Sequence, residues 1–290
     1  MSAKDIQIPE SIFKSEFGRE RIIEHYNRLL AAVDFEYKEY YVETSFGTTY
    51  ILESGPDGNP PLVLLHGSTS NSAAWFADIQ ELGKHYRVFS VDLIGDAGHS
   101  AETRPDVRSD GYAQWLAEVF ERLGIGKASV MGNSLGAWIA LKFASTFPGK
   151  IEKLVLLAAS GLASMRARWV FRLILFSLQG EKGADKITQM VYGQDEIPQI
   201  VKDTIDLIAK NYRPYTGAIP VLPDADLLRL TMPVLYIAGE NDQLTNAPKC
   251  EIRLRKILPH AGIVILKNRG HVIYNVLDRV IPFLRGTAVK

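Results

Sequence analysis

Residues 132–136, Gly-Asn-Ser-Leu-Gly, have the types and the spacing for chemistry at a serine. Before them, Lys127–Met131 can form a short buried strand; after them, Leu135–Phe147 is apolar on nearly every face, which predicts a buried helix. A strand, a sharp turn with Ser134 at its tip and a helix are the context of a nucleophile elbow, whose glycines leave room for close packing. We therefore predict that Ser134 attacks a carbonyl carbon. The alternative is a serine in an ordinary strand-to-helix turn.

A serine hydroxyl is a poor nucleophile at neutral pH and needs a base that takes its proton. We assign this base to His271, because imidazole titrates near neutrality and can return the proton to the leaving group. His271 also follows a predicted strand and Gly270, which places it on a loop at the sheet edge. Three other histidines suit ordinary surface or core positions: His25, His85 and His260.

The base in turn needs a carboxylate that fixes its tautomer and stabilises the imidazolium. Asp242 follows a predicted strand by a short turn and is the preferred candidate, and Glu240, two residues nearer the strand, is its competitor. The alternative for Asp242 is a turn aspartate that bonds to its own backbone. The tetrahedral intermediate also needs backbone donors, and we expect the N–H of Leu135, at the start of the elbow helix, to be one of them.

Strands and helices alternate between residues 61 and 159. Buried strands are predicted over Pro61–Leu65, Arg87–Asp92, Lys127–Met131 and Ile151–Ala158, and helices over Ala73–Tyr86, Asp110–Leu123 and Leu135–Phe147. This alternation predicts an α/β fold with a mostly parallel central sheet and helices on both faces. Ligands of such sheets bind beyond the carboxyl ends of the strands, where the loops after Leu65, Met131 and Ile237 begin.

The sequence on either side of residues 61–159 predicts the remaining elements of the core domain and an inserted helical block. Its patterns predict a helix over Gly18–Val33, a hairpin over Tyr37–Leu52, strands over Pro233–Ala238 and Ala261–Leu266, and helices over Ala247–Ile257 and Val272–Leu284. Between them the alternation stops, and helices are predicted over Ser164–Leu178, Ala184–Val191 and Ile197–Tyr212. Because this block leaves the carboxyl end of a strand, we interpret residues 161–228 as a helical cap over the site, and residues 1–160 and 229–290 as the core domain. Extra packing is the alternative.

The composition narrows the choice of partners. The 290 residues have a formal net charge of zero, which favours neither nucleic acid nor an anionic membrane as a partner. The sequence has no apolar run long enough for a membrane span and no secretory signal, so we expect a cytoplasmic protein. It has no metal-ligand spacing, phosphate-binding loop or dinucleotide motif, so we expect neither a metal nor an organic cofactor. The single cysteine, Cys250, excludes an internal disulfide, and the oligomeric state stays open.

Four short motifs occur in a characteristic order: His66-Gly67, Gly132–Gly136, Gly239–Asp242 and Gly270-His271. The chain thereby resembles the α/β-hydrolases over roughly residues 37–285 and, through residues 91–96 and the general layout, most resembles the capped bacterial carboxylesterases. The resemblance implies the α/β-hydrolase fold and a catalytic triad of Ser134, Asp242 and His271. It also implies a second oxyanion donor at the N–H of Ser68, with the N–H of Thr69 as the less favoured choice.

Two stretches depart from the usual pattern of this family. After the fourth strand the family often runs D-x-x-G-x-G-x-S, whereas residues 92–100 are one residue longer; the segment after His271 lacks the usual Glu-x-Pro. We interpret His66 as a residue that shapes its own loop. We interpret Asp96 and His99 as loop structure rather than as pocket lining.

These features predict a serine hydrolase that cleaves carboxylic esters through an acyl-enzyme. The zero net charge and the apolar cap favour a small, neutral and fairly hydrophobic ester as the partner. Amide or lactone hydrolysis and acyl transfer could use the same triad, and a receptor that holds a small ligand with little turnover is the alternative from another class. A dehalogenase is disfavoured, because that chemistry uses an aspartate where Ser134 stands.

Overall fold

The computed structural model describes residues 11–165 and 198–287, a short strand at Ile6–Gln7, and scattered residues from 169 to 191. Most of the predicted cap helices Ser164–Leu178 and Ala184–Val191 therefore lie outside the described residues. The third predicted cap helix corresponds to an observed helix at Gln199–Asn211. The division into a core and a cap at residues 161–228 stays a prediction.

Eight strands of the described chain form one sheet. They are β1 (Tyr37–Thr44), β2 (Gly47–Ser54), β3 (Pro61–Leu65), β4 (Arg87–Val91), β5 (Ala128–Asn133), β6 (Ile151–Leu157), β7 (Val234–Gly239) and β8 (Gly262–Leu266). Their spatial order is β8-β7-β6-β5-β3-β4-β2-β1. Strands β3 to β8 pair in parallel, and β2 is antiparallel to both β1 and β4. The predicted mostly parallel sheet is confirmed.

Helices cover both faces of this sheet. They are α1 (Glu16–Ala31), α2 (Phe76–Leu82), α3 (Gly111–Arg122), α4 (Leu135–Thr146), α5 (Gln199–Asn211), α6 (Asp224–Leu227), α7 (Ala247–Ile257) and α8 (Leu277–Leu284). Successive side chains of a strand point to opposite faces. In β3, Val63 and Leu65 therefore pack with α3, α4 and α7, whereas Leu62 and Leu64 pack with α1, α2 and α8. Burial on both faces explains why the central strands are continuous apolar runs.

The order of the strands reverses at β3. From β3 the chain passes to β4 on one side, and α3 then carries it back across to β5 on the other side. The crevice at such a switch point, beyond the carboxyl ends of the strands, is where open α/β sheets bind ligands. The loop His66–Ser70 leaves β3 here and Ser134 follows β5, so the topology brings these two predicted site segments together.

Two predicted helices are too long. The last helix begins at Leu277 rather than at Val272, because Asn275 has a left-handed backbone with φ of 55°, which an α-helix does not accommodate. The helix predicted over Ala73–Tyr86 is instead a 3-10 turn at Ser72–Trp75 followed by α2, which ends at Leu82. The sequence patterns predict neither the one-turn helix α6 nor the pairing of residues 6–7 with residues 104–105.

The described ends of the insertion are tied to the core. Arg253 of α7 donates to the carbonyl of Leu162 at 2.7 Å and to the carbonyl of Leu222 at 2.5 Å. Helix α5 packs against α1, where His25 Nε2 lies 2.7 Å from Thr204 Oγ1. Arg253 therefore joins the segments at which the insertion leaves and returns.

Candidate active site

Ser134 stands between β5 and α4 in a sharp turn. Its φ of 50° and ψ of −106° are unusual for a residue with a side chain, and its N–H is fixed by a 2.9 Å hydrogen bond to the Leu157 carbonyl. A Cβ atom at Gly132 would overlap the backbone of Gly136, and one at Gly136 would overlap the backbone of Leu65. These two positions therefore require glycine, and the segment has the geometry expected of a nucleophile elbow.

His271 lies between Ser134 and Asp242 and contacts both side chains. Its Nε2 is 3.0 Å from Ser134 Oγ, and its Nδ1 is 3.0 Å from Asp242 Oδ2. The side chain of His271 is 11% exposed and that of Asp242 is fully buried. This chain of contacts can carry a proton from the serine to the imidazole while the carboxylate holds the other side of the ring.

The Asp242 carboxylate is held by the turn that follows it. Its Oδ1 accepts the N–H groups of Leu244 at 2.9 Å and Thr245 at 3.1 Å, and its Oδ2 accepts the Thr245 hydroxyl as well as the histidine. Sequence reasoning missed Thr245. Its spacing of three residues after an aspartate, in a turn, is the signal that could have indicated it.

Burial and charge act against each other in this pair. Burial alone would raise the pKa of Asp242, but the adjacent His271 and the hydrogen bonds from Thr245 hold that pKa below its ordinary value. Burial alone would lower the pKa of His271, but the Asp242 carboxylate raises that pKa above its ordinary value of 6.5. The carboxylate therefore stays charged at neutral pH and makes the imidazole a stronger base.

The competing carboxylate, Glu240, does not reach the histidine. Its side chain is exposed, and its Oε2 accepts the N–H of Asn268 at 3.4 Å. The structure thus brings Asp242, and not Glu240, to His271. The backbone N–H of His271 donates to the carbonyl of Val191 at 3.0 Å, so the insertion contacts the same residue.

The loop after β3 borders Ser134 on the other side. A Cβ atom built on Gly67 would lie 3.6 Å from Ser134 Cβ, which places the Gly67–Ser68 peptide beside the serine. Leu135 is the first residue of α4, so its N–H has no acceptor within the helix. The N–H of Thr69 donates to Asp96 Oδ2 at 3.2 Å, which favours Ser68 over Thr69 as the second oxyanion donor.

His66 joins the loops after β3 and β4. Its Nε2 accepts the N–H of Leu93 at 2.9 Å, so the proton of the neutral ring lies on Nδ1, which is 2.8 Å from the Gly67 carbonyl. His99 stacks on Tyr50 with ring centroids 4.7 Å apart, and its Nε2 lies 3.1 Å from Asn27 Oδ1. Both histidines therefore shape loops, as the sequence suggested.

In the described part of the chain, no helix is both long and apolar enough to cross a membrane. Among the same residues, no group of three or more His, Cys, Asp or Glu side chains is arranged to hold a metal ion.

The chain belongs to the α/β-hydrolase family. A profile described as "Alpha/beta hydrolase family" matches residues 62–280, which include the serine, the histidine and the carboxylate of the site. This match and the eight-stranded sheet confirm the resemblance and the fold class that the sequence predicts.

Carboxylesterases of Bacillus subtilis are among its relatives. Carboxylesterase YbfK is 28% identical over 280 residues, which cover 92% of this chain and 94% of the relative. The uncharacterized carboxylesterase nap is 28% identical over 261 residues, which cover 87% of each chain. The crystal structures of CesB (YbfK) and of naproxen esterase each match with a TM-score of 0.83 and 26% identity, and cover 94% and 95% of this chain and 100% of their own.

Proposed function

We propose that this protein is a carboxylesterase with Ser134 as its nucleophile. The observation that carries the proposal is the continuous chain of contacts from Ser134 Oγ through the His271 ring to Asp242, with 3.0 Å at each step. The carboxylesterase relatives, which match over most of both chains, support the choice of ester substrates.

The first half of the reaction forms the acyl-enzyme. His271 Nε2 takes the proton of Ser134 as Oγ bonds to the ester carbonyl carbon, and the carbonyl oxygen becomes an oxyanion. The N–H groups of Leu135 and Ser68 donate to that oxyanion, and the N-terminus of α4 adds a favourable field. When the carbonyl reforms, the ester C–O bond breaks and His271 gives its proton to the departing alcohol.

The second half repeats these steps with water. His271 takes a proton from the water molecule as its oxygen bonds to the acyl carbon, and the same two N–H groups hold the second oxyanion. Collapse of this intermediate releases the carboxylic acid and returns the proton to Ser134 Oγ. Asp242 stabilises the imidazolium in both halves without taking a proton itself.

We infer a small, neutral and fairly hydrophobic ester as the substrate. The formal net charge of zero and the apolar sequence of the insertion support this substrate class. Residues 161–228 act in this proposal as a cap over the acyl pocket, and the contact between Val191 and His271 is consistent with that place. The cytoplasmic location stays a prediction, which fractionation of the source cells would test.

The test is hydrolysis of p-nitrophenyl acetate, butyrate, octanoate and palmitate by the wild type and by Ser134→Ala. Turnover with a preference for one chain length, absent from the variant, would support an esterase and give the size of its acyl pocket. Equal and negligible rates in both proteins would contradict the proposal. The matching p-nitroanilides and a lactone would then test amide and lactone hydrolysis by the same triad. Tight binding of one of these compounds without turnover would favour a receptor.

A further inference from the structure

Asp96 is a buried carboxylate that bonds to the loop after β3. It lies in the loop after β4, 3% exposed. Its Oδ2 accepts the N–H of Thr69 at 3.2 Å, and its Oδ1 accepts the N–H groups of Ser70 at 3.4 Å and Ala97 at 2.9 Å. Two of these three donors belong to the segment that begins at Ser68, so the carboxylate connects two loops at the site.

Thr69 has a backbone conformation that needs such support. Its φ is 59°, in the left-handed region, where a β-branched side chain is unfavourable. The N–H groups of Thr69 and Ser70 both donate to the Asp96 carboxylate, and these bonds hold the turn on both sides of Thr69. Without them, relaxation of Thr69 toward negative φ would rotate the adjacent peptides.

The peptide that carries the Ser68 N–H is joined through the Ser68 Cα to the Ser68–Thr69 peptide, which would rotate in this way. The peptide between Gly67 and Ser68 is planar and trans, so its C=O and its N–H point in opposite directions. His66 Nδ1 holds the C=O of this peptide from one side at 2.8 Å. Asp96 holds the next peptide along the chain, through the Thr69 N–H. The direction of the Ser68 N–H is therefore set by two side chains, one before it and one after it.

The backbone on either side of Asp96 is fixed by further hydrogen bonds. The carbonyl of Gly95 accepts Arg104 Nε at 2.9 Å and the Tyr212 hydroxyl at 3.0 Å, and the Asn71 side chain donates to the Ala97 carbonyl at 2.8 Å. These bonds fix the loop on both sides of the carboxylate. The residue added to this loop relative to the usual family spacing thus lies in a segment with defined contacts.

We propose that Asp96 is a positioning residue for catalysis: it holds the turn at Thr69 and thereby aims the Ser68 N–H at the developing oxyanion. This inference rests on the proposed function, because it assumes that Ser134 attacks a carbonyl beside this N–H. Burial raises the pKa of Asp96, and the Ala97 N–H is among the groups that oppose this rise. Asp96 touches no reacting atom and acts only through the loop.

The first variant is Asp96→Asn. The amide oxygen of the new side chain can still accept the N–H groups of Ala97 and Ser70. Its NH₂ group then faces the Thr69 N–H, and because both groups are donors, the hydrogen bond to Thr69 is lost. We expect kcat to fall roughly tenfold to a hundredfold, because a displaced oxyanion donor acts on the transition state, while KM changes by less than about threefold. The inhibition constant of an aryl trifluoromethyl ketone, which forms an anionic adduct with the serine, should rise by the same factor as kcat/KM falls.

Asp92→Asn is the matched control. Asp92 is also a buried carboxylate of the same loop and accepts two backbone N–H groups, from Ser72 at 2.7 Å and His99 at 2.8 Å. It bonds to none of the described residues 68–70. We expect this variant to lose thermal stability to a similar degree and to keep kcat within about threefold of the wild type, since no oxyanion donor moves.

A second substitution tests the role of the turn directly. Glycine accepts a positive φ at no steric cost. Thr69→Gly in the Asp96→Asn background should therefore recover at least about fivefold in kcat, whereas Thr69→Ala should recover less. If Asp96→Asn cannot be isolated in folded form, the two double variants still test whether Asp96 supports the turn at Thr69. The ratio of kcat between Thr69→Gly and Thr69→Ala would then be measured in the Asp96→Asn background and compared with the same ratio when Asp96 is intact.

Two results would overturn the inference. One is a folded Asp96→Asn with wild-type kcat and inhibitor affinity. The other is an equal kcat for the two double variants. Failure of the proposed function looks different: the wild type and Ser134→Ala would hydrolyse the p-nitrophenyl esters at equal rates, whatever stands at residue 96. An inactive Ser134→Ala together with a fully active Asp96→Asn would reject the positioning role alone.

Discussion

Replacing Asp242 by asparagine should disable the base by changing its tautomer. Two N–H groups, from Leu244 at 2.9 Å and Thr245 at 3.1 Å, point at Oδ1. They would keep the amide oxygen of Asp242→Asn at that place and direct its NH₂ at His271 Nδ1. The ring would then accept at Nδ1 and carry its proton on Nε2, facing Ser134, where it cannot take the serine proton.

The expected loss is about 10³- to 10⁴-fold in kcat, or about 4 to 5.5 kcal/mol of transition-state stabilisation. The acid limb of the kcat/KM profile should also move to lower pH, because Asp242 is the group that raises the pKa of His271. The assay is p-nitrophenyl butyrate hydrolysis from pH 5 to about pH 9, a range that spans the titration of histidine.

Glu240→Gln is the control for this substitution. Glu240 is exposed and makes its described contact with the Asn268 backbone rather than with His271. The kcat of Glu240→Gln should therefore equal that of the wild type. An Asp242→Asn variant that keeps more than about a tenth of the activity would exclude this role of Asp242, because that loss is far below the one that a tautomer change causes. A greater loss in Glu240→Gln than in Asp242→Asn would exclude it as well.

Three other predictions concern the site and its support. Ser134→Ala and His271→Ala should each lower kcat by roughly 10³- to 10⁶-fold with little change in Tm, and the double variant should be no worse than either, as steady-state kinetics and thermal melts would show. On the acid side, wild-type kcat/KM should fall with a midpoint above pH 6.5. Activity needs a neutral His271 ring, and the Asp242 carboxylate raises the pKa of that ring. A midpoint below pH 6.5 would show that the carboxylate does not raise this pKa. Gly136→Ala should lower the free energy of unfolding by about 1–3 kcal/mol, because the new Cβ overlaps the Leu65 backbone. Gly126→Ala should not lower it, because a Cβ there meets no atom within 4 Å. Equal denaturation midpoints for the two variants would argue against the close approach of Gly136 to the Leu65 backbone.

The parts of the site that the sequence predicts are those that depend on local pattern. The elbow is visible because Gly132 and Gly136 are required where the strand and the helix approach, and the apolar runs on either side reveal those two elements. His271 and Asp242 are visible because each follows a predicted strand by a short turn. The choice between Asp242 and Glu240 needed the structure, since side-chain direction in a turn is not a property of spacing.

The parts that the sequence does not predict depend on contacts between distant segments. The bonds from Asp96 to Thr69 and Ser70 join loops that follow different strands, and no local pattern at either loop indicates them. The late start of α8 has a different cause, the backbone conformation of a single residue. The residues before Leu277 are apolar enough to continue the helical period, but the left-handed backbone of Asn275 separates them from the helix.

If Ser134 is the nucleophile, it forms a covalent bond with the acyl group, and covalent labelling of the same oxygen shows whether it can do so. The protein would be treated with a fluorophosphonate ester, which transfers its phosphonyl group to an activated serine with loss of fluoride, and the digested peptides would be mapped by mass spectrometry. We predict a single phosphonylated residue, Ser134, with labelling abolished in Ser134→Ala and slowed strongly in His271→Ala. Labelling at another residue, or equal labelling of Ser134→Ala, would exclude Ser134 as the nucleophile.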